Sequence, residues 1–386
     1  MVKKLRRNFK YLDKPLLFIT IIFFIFGTLN IVTASSSESV NRYNTSLYYY
    51  FFQQIKMLAV GFGAALIIIN VDTKKYKKIF ALLFFIILAL LIYLSLTGND
   101  VRGSRNWLQI FGFTFQPSEF AKPIIIVCLS LLFEIFYNKL RNKKTKHFDM
   151  IGIILFVGLL IPVIVFFQKD FGTMFIMTVI FGIMFLASPV LRMEKLKTIV
   201  LLFVIAIVGC LVLIVGKGQI LSNAQMSRFN FYNPCERYET GGYQVCNGFI
   251  ALNNGGLFGV GISKSTQKYS YIPEPHTDSI FAIIGEEYGV LRCIFIFLAY
   301  IIVLKRILDL SSRANTIRGK YICLGVGVYI FMHILVNLSG LFGVLPLTGV
   351  PLPFLSYGGS FTISLIIALA IVQRVAIETR NQKIKV

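Results

Sequence analysis

Chemistry-bearing residues concentrate in four short strings. In Pro273-Glu274-Pro275-His276-Thr277-Asp278-Ser279, three titratable groups (Glu274, His276 and Asp278) stand just before an apolar run. Partial desolvation at such an entrance raises a carboxylate pKa toward that of a useful general base, which makes Asp278 the candidate proton acceptor and His276 its candidate substrate-facing neighbour. Thr277 or Asp278 would serve equally as the N-cap of the helix that follows. A second string, Arg102-Gly103-Ser104-Arg105-Asn106-Trp107, is followed by Gln116-Pro117-Ser118-Glu119-Phe120-Ala121-Lys122. Glu119 and Lys122 stand at i, i+3 and pair if a helix begins there; charges near membrane depth are costly, which favours a functional role. Ser118 also reads as a cap and Trp107 as an interface anchor.

The third string, Gln168-Lys169-Asp170-Phe171-Gly172-Thr173, reads as a turn whose Asp170 caps the next helix. The fourth runs from Leu345 to Ser360, with Pro346, Pro351, Pro353, Ser356, Gly358 and Gly359, and cannot be regular helix. Its backbone must be satisfied by protein or by a water-filled cavity. Its glycines would let N–H groups approach a phosphate, or would mark a simple re-entrant turn. Glu286 and Glu287 lie roughly 12–13 Å further along a helix than Asp278 and need a partner there, such as Lys56 on another span. Cys235 and Cys246 share an outer loop and suit a disulfide, whereas Cys128, Cys210, Cys293 and Cys323 lie in apolar runs. The three His are scattered, and neither G-x-S-x-G nor H-E-x-x-H occurs.

These strings sit between elements of one kind. Of 386 residues, 56% are hydrophobic and 15% charged, with 37 Phe and a single Trp, and the mean hydropathy is +0.75. A soluble fold could not hide that surface, and the apolar residues come in blocks long enough to cross a bilayer as helix. Soluble, disordered and disulfide-scaffold classes are excluded. The expectation is an all-α polytopic membrane protein of ten transmembrane helices: Pro15–Thr33, Tyr49–Ile69, Ile79–Leu96, Ala121–Tyr137, Ile151–Phe167, a sixth ending near Ala187, Thr198–Val215, Ser279–Leu304, Tyr321–Leu338 and Tyr357–Ile371. One long extracytoplasmic loop, 216–278, joins the seventh to the eighth. No internal repeat is evident, so residues 1–386 read as a single membrane domain.

The net charge of +22 would suggest nucleic acid in a soluble chain. Here the basic residues cluster before the first block and in alternate loops, for example Lys74, Lys75, Lys77, Lys78 and Lys305, Arg306, Arg313, Arg318, Lys320. That is the positive-inside pattern; it places both termini in the cytoplasm and removes the nucleic-acid reading. The first block lacks a small-residue cleavage site, so no cleavable signal peptide is expected.

Taken together, the strings resemble the SEDS family of bacterial shape, division and sporulation proteins, the group containing FtsW, RodA and SpoVE. The likeness rests on Arg105-Asn106-Trp107 with Gln116–Lys122, on Gly241-Gly242-Tyr243-Gln244 through Asn254-Gly255-Gly256-Leu257-Phe258-Gly259, on Pro273–Asp278, and on Pro351–Ser360. Gly261–Lys268 and Ala282–Glu287 are more similar to the FtsW side than to RodA, which leans toward septal synthesis in cell division. Ser279 stands where the family usually has Phe, and Lys169 where Pro often precedes the Asp.

The resemblance implies a multi-pass enzyme of the bacterial cytoplasmic membrane. Such an enzyme polymerises lipid II into glycan strands at the outer face, beside a class B penicillin-binding protein and other divisome or elongasome membrane proteins. It also implies that Asp278 is the essential carboxylate. The substrate-binding set is then Trp107, Arg102, Arg105, Glu119, Lys122, Lys264, Lys268, His276, Ser356, Gly358 and Gly359. Arg102, Arg105, Lys264, Lys268 or a divalent cation (Mg or Mn) would stabilise the leaving pyrophosphate. Rival readings are a lipid II flippase, an elongation polymerase of the RodA type, and a scaffold in which Asp278 is replaceable.

Overall fold

Apolar runs that cannot leave backbone groups unsatisfied in a bilayer fold as helices, and helices dominate this chain. The computed structural model describes residues 8–42, 45–98, 104–110, 113–141, 147–215, 233–269 and 271–383. Long helices are α1 (Lys14–Ser37), α2 (Tyr49–Asn70), α3 (Tyr76–Thr97), α4 (Pro117–Arg141), α5 (His147–Phe167), α6 (Phe171–Ala187) and α7 (Arg192–Val215). The short α8 (Tyr243–Gly255) falls inside the expected long loop, and α9 (Ile280–Arg313), α10 (Ile317–Leu341) and α11 (Gly359–Lys383) complete the order. A two-stranded hairpin pairs β1 (Leu108–Ile110) with β2 (Phe113–Phe115), Leu108 opposite Phe115. Among the described residues, seven helices are long and apolar enough to cross a membrane, and α6 is a shorter apolar helix.

Burial identifies the centre. In α11, 89% of the apolar window is buried, against 22% in α2. The core is therefore α4, α10 and α11, with α2 and α3 turned outward: α10 packs on α4, α9 and α6, while α2 packs along α11 and α3 along α4. Outward residues such as Phe18, Ile67, Leu82 and Phe85 are large and apolar, as a lipid-facing surface requires.

The two ends of the bundle differ in chemistry. At one end, basic and acidic groups interlock. Asp13 caps α1 through Leu16 N and meets Arg306 (3.3 Å) and Arg380 (3.1 Å). Arg318 meets Glu134 at 2.7 Å, and Arg374 contacts Asp72 and Glu378. The other end holds the starts of α4, α9 and α11, the end of α10 and the described residues of the four strings.

Helix α9 differs from the uninterrupted span expected over Ser279–Leu304. It breaks at Gly289 (φ 77, ψ 168) and continues to Arg313. The segment from Gly256 to Gly261 fills the gap: Val260 N donates to Glu286 O (2.9 Å), Gly261 N to Glu287 O (3.1 Å), Val290 N to Gly256 O (2.9 Å) and Leu291 N to Leu257 O (3.2 Å). A Cβ on Gly289 would come within 2.4 Å of Gly259 N, and one on Gly259 within 2.3 Å of Glu287 O. The crossing is glycine on glycine because no side chain fits.

Candidate active site

Asp278 sits at the junction of α9, α8 and the irregular segment that precedes α11. It is half-buried. Its Oδ1 accepts from Thr277 Oγ1 (3.1 Å) and lies 3.4 Å from Gln244 Nε2, which also donates to Ser279 Oγ (2.9 Å). The N-cap position of α9 falls on Ser279, without a side-chain cap bond, rather than on Thr277 or Asp278. The backbone of Gly349 borders the carboxylate, since a Cβ there would stand 3.9 Å from Asp278 Oδ2. Asn337 on α10 donates to Asp278 O (2.7 Å) and to Val350 O (2.8 Å). Sequence reasoning missed Asn337; the available signal was one amide in the apolar run Ile334-Leu335-Val336-Asn337-Leu338.

His276 is buried, its ring 4.1 Å from that of Tyr50 and 5.4 Å from that of Tyr357. Its carbonyl accepts from Tyr357 N at 2.8 Å. Nδ1 lies 3.4 Å from Glu38 Oε2, which would favour the imidazolium. Both groups are more than nine-tenths buried, however, and loss of water around the ring outweighs the opposing Glu274 charge: burial pushes the His276 pKa down to about 4. The imidazole is neutral at pH 7 and orients rather than attracts. Burial likewise pushes the Tyr357 hydroxyl up to about 12.

In the irregular segment, Ser356 is buried and its Oγ accepts from Leu352 N (2.8 Å), closing a turn. Gly358 and Gly359 are half-buried at the start of α11. Ser360 Oγ accepts from Gln116 N (3.0 Å), tying that start to α4. Asp170 caps α6 as expected, Oδ1 accepting from Thr173 N (3.1 Å), while Oδ2 accepts from Asn106 (2.8 Å) and Gln116 (3.2 Å). One carboxylate thus joins the third string to both parts of the second.

The expected Glu119 and Lys122 pair forms at 2.7 Å, fully buried. Lys122 Nζ also lies 3.0 Å from His333 Nε2, and His333 Nδ1 lies 3.2 Å from Pro351 O. This row reaches the irregular segment from below. Trp107, two-fifths exposed, precedes β1, and Arg105 is exposed with its N–H on Gln168 O. Arg102 lies outside the described residues. Lys264 is exposed.

Lys268 points inward and meets Glu287 Oε1 (3.1 Å) and Ser263 O (2.7 Å). Glu286 accepts from Ser265, Thr266 and Gln267. The two acids therefore find partners in the descending outer loop; for Glu287 the cation is Lys268, where a lysine on another span, Lys56, was expected. Once Gly289 lets that loop in, local donors sit closer than any lipid-facing lysine. Cys235 and Cys246 are bonded, pinning the first turn of α8 two residues from Gln244. Among the described residues no group of three or more His, Cys, Asp or Glu could hold a metal ion. A divalent ion would therefore have to take most of its oxygen ligands from substrate phosphates and water.

The site offers a carboxylate with fixed backbone, neutral aromatic walls and a glycine-lined opening. The FtsW, RodA and SpoVE family model, described as "Cell cycle protein", matches residues 14–381. A "Probable peptidoglycan glycosyltransferase FtsW" of Coxiella burnetii is 30% identical, over 99% of this chain and 100% of its own. The protein of that name in Bacillus subtilis is 29% identical, over 97% and 92%. Stage V sporulation protein E of Bacillus subtilis is also 29% identical, over 94% and 96%. Among solved structures, a chain of a peptidoglycan synthase complex superposes with a TM-score of 0.73 at 20% identity, covering 95% of this chain and 98% of that one. RodA of Thermus thermophilus does so with 0.66 at 18%, covering 95% and 96%.

Proposed function

This chain belongs to the FtsW, RodA and SpoVE family of cell cycle proteins, and from that membership we propose that it is a peptidoglycan glycosyltransferase that polymerises lipid II in bacterial division. It is a multi-pass protein of the bacterial cytoplasmic membrane. The further reading is of one domain with ten spans and both termini inside: the interlocked arginine end is cytoplasmic and the Asp278 end faces out. A class B penicillin-binding protein is the natural partner, since a polymer made at the outer face must be crosslinked there.

The observation that carries the mechanism is Asp278, half-buried at the mouth of the bundle with its carboxylate beside the backbone of Gly349. The acceptor 4-hydroxyl attacks the donor anomeric carbon; the new C–O bond forms as the bond to pyrophosphate breaks, and the hydroxyl proton passes to Asp278 Oδ. Undecaprenyl pyrophosphate leaves with the bonding electrons. An α-linked donor giving a β-linked glycan requires inversion, so one displacement with one base suffices. Among the described residues of the expected set, exposed Arg105 and Lys264 are the cations left for the leaving pyrophosphate; Lys268 is held by Glu287 and takes a structural role.

The test is polymerisation of purified lipid II by the protein with its class B partner, comparing wild type with Asp278→Ala and Asp278→Asn. Polymer from wild type alone, with all three folded, is the expected result. Equal polymer from all three removes Asp278 from the mechanism, and none from folded wild type favours the flippase or scaffold.

A further inference from the structure

Asp278 lies at the end of a non-helical stretch, and a base on such a stretch needs its backbone fixed. Two elements could move relative to one another here: the strand of chain carrying Asp278, and the irregular segment from 342 to 358 whose Gly349 borders the carboxylate. Each is joined to the bundle separately, the second through Tyr300 OH on Pro353 O (2.5 Å) and His333 Nδ1 by Pro351 O (3.2 Å). Between them run a backbone bond, Tyr357 N to His276 O (2.8 Å), the ring contact of His276 with Tyr357 (5.4 Å) and the side chain of Asn337, which bonds to both.

Asn337 is 3% exposed and stands on α10, the most buried helix after α11 among the membrane-crossing ones. Its Nδ2 faces two carbonyl oxygens, Asp278 O at 2.7 Å and Val350 O at 2.8 Å. Two acceptors require the NH2 end of the amide, and that group has two protons to give. We propose that Asn337 is a positioning residue for catalysis. It clamps the backbone of Asp278 to that of Val350 and so fixes the gap between the carboxylate and Gly349 in which the acceptor hydroxyl is deprotonated. The inference rests on Asp278 being the base.

Kinetics can separate positioning from mere stability. Asn337→Ala should lower kcat about tenfold to a hundredfold, the effect of a small misplacement of a catalytic group, with KM for lipid II changed less than twofold. Gln373→Ala is the matched control: Gln373 is equally buried at the opposite end and makes two hydrogen bonds to the backbone of Asp13 (2.8 and 3.0 Å). It should lower thermal stability similarly and leave kcat near wild type. Asn337→Ser, which keeps one donor, covers the case in which alanine does not fold and should fall between. Asn337→Asp supplies the pH signature: its activity relative to wild type should rise as pH falls, because only the neutral acid can donate.

Equal kcat losses in Asn337→Ala and Gln373→Ala, or wild-type kcat in folded Asn337→Ala and Asn337→Ser, overturn the clamp. Asp278→Asn run alongside separates the two levels. If it is inactive while Asn337→Ala is fully active, the clamp alone falls; if it is fully active, the base and the clamp fall together.

Discussion

The buried ion pair between Lys268 and Glu287 distinguishes two roles for that lysine. Lys268 is 2% exposed and Glu287 fully buried, with Nζ 3.1 Å from Oε1. Lys268→Met removes the cation, keeps most of the volume, and strands a carboxylate. Breaking one side of a buried pair costs about 3–5 kcal/mol, because the remaining charge stays desolvated. Glu287→Gln in the same chain removes the stranded charge, and the double variant should recover more than half of the loss, since replacing both partners of a buried pair is often near neutral. The assay is thermal unfolding in detergent, with lipid II polymerisation on the folded fraction. A phosphate ligand would behave in the opposite way. Lys268→Met would then lower polymerisation with stability unchanged, and Glu287→Gln would rescue nothing. That pattern would refute the structural assignment.

Two further predictions concern the outer loop and its neighbourhood. His276 has a folded pKa of about 4 against an ordinary 6.5, so between those values the unfolded chain holds the extra proton. Its stability contribution is complete above pH 6.5 and lost as pH falls toward 4, by at most roughly 3 kcal/mol. Unfolding measured from pH 7.5 to 4.5 should show this slope in wild type and a shallower one in His276→Gln; identical slopes would mean that folding leaves the ring's pKa unshifted. Cys235 and Cys246 close a short loop with a separation of 11 residues. Replacing both by Ser should therefore cost about 3 kcal/mol by chain entropy, and reductant should lower the melting temperature of wild type but not of the variant. A wild-type protein whose melting ignores reductant would speak against the bond.

Much of the fold was legible because the bilayer imposes it. Long apolar runs bounded by lysines and arginines are helices, and the structure has a helix at each expected run: Pro15–Thr33 became Lys14–Ser37, and Tyr357–Ile371 became Gly359–Lys383, its C-terminal end running about three turns past the apolar block. The Asp170 cap and the Glu119–Lys122 pair were legible too, because both are local, three residues apart along one chain segment. Hydropathy is blind to partners. Glu286 and Glu287 were recognisable as costly, but what neutralises them depends on Gly289 opening the helix and on a loop whose polar run from Ser263 to Lys268 looks solvent-exposed in sequence. Gly259 and Gly289 carry the information jointly, and neither alone distinguishes a close crossing from an ordinary helix glycine.

Asn337 illustrates the same limit from the functional side. An amide in an apolar helix announces that it needs a partner, since leaving it unsatisfied in hydrocarbon is costly. It does not announce which one. Its acceptors lie 59 and 13 residues away and become neighbours only when α10 packs beside the start of α9 and under the proline-rich segment. The four strings were found because each carries its unusual residues contiguously. A clamp distributed over three segments has no such density: one ordinary Asn and two backbone carbonyls. Sequence reading therefore locates the groups that could react, while the groups that hold them in register emerge from the packing, and they are the ones whose loss should alter rate more than binding.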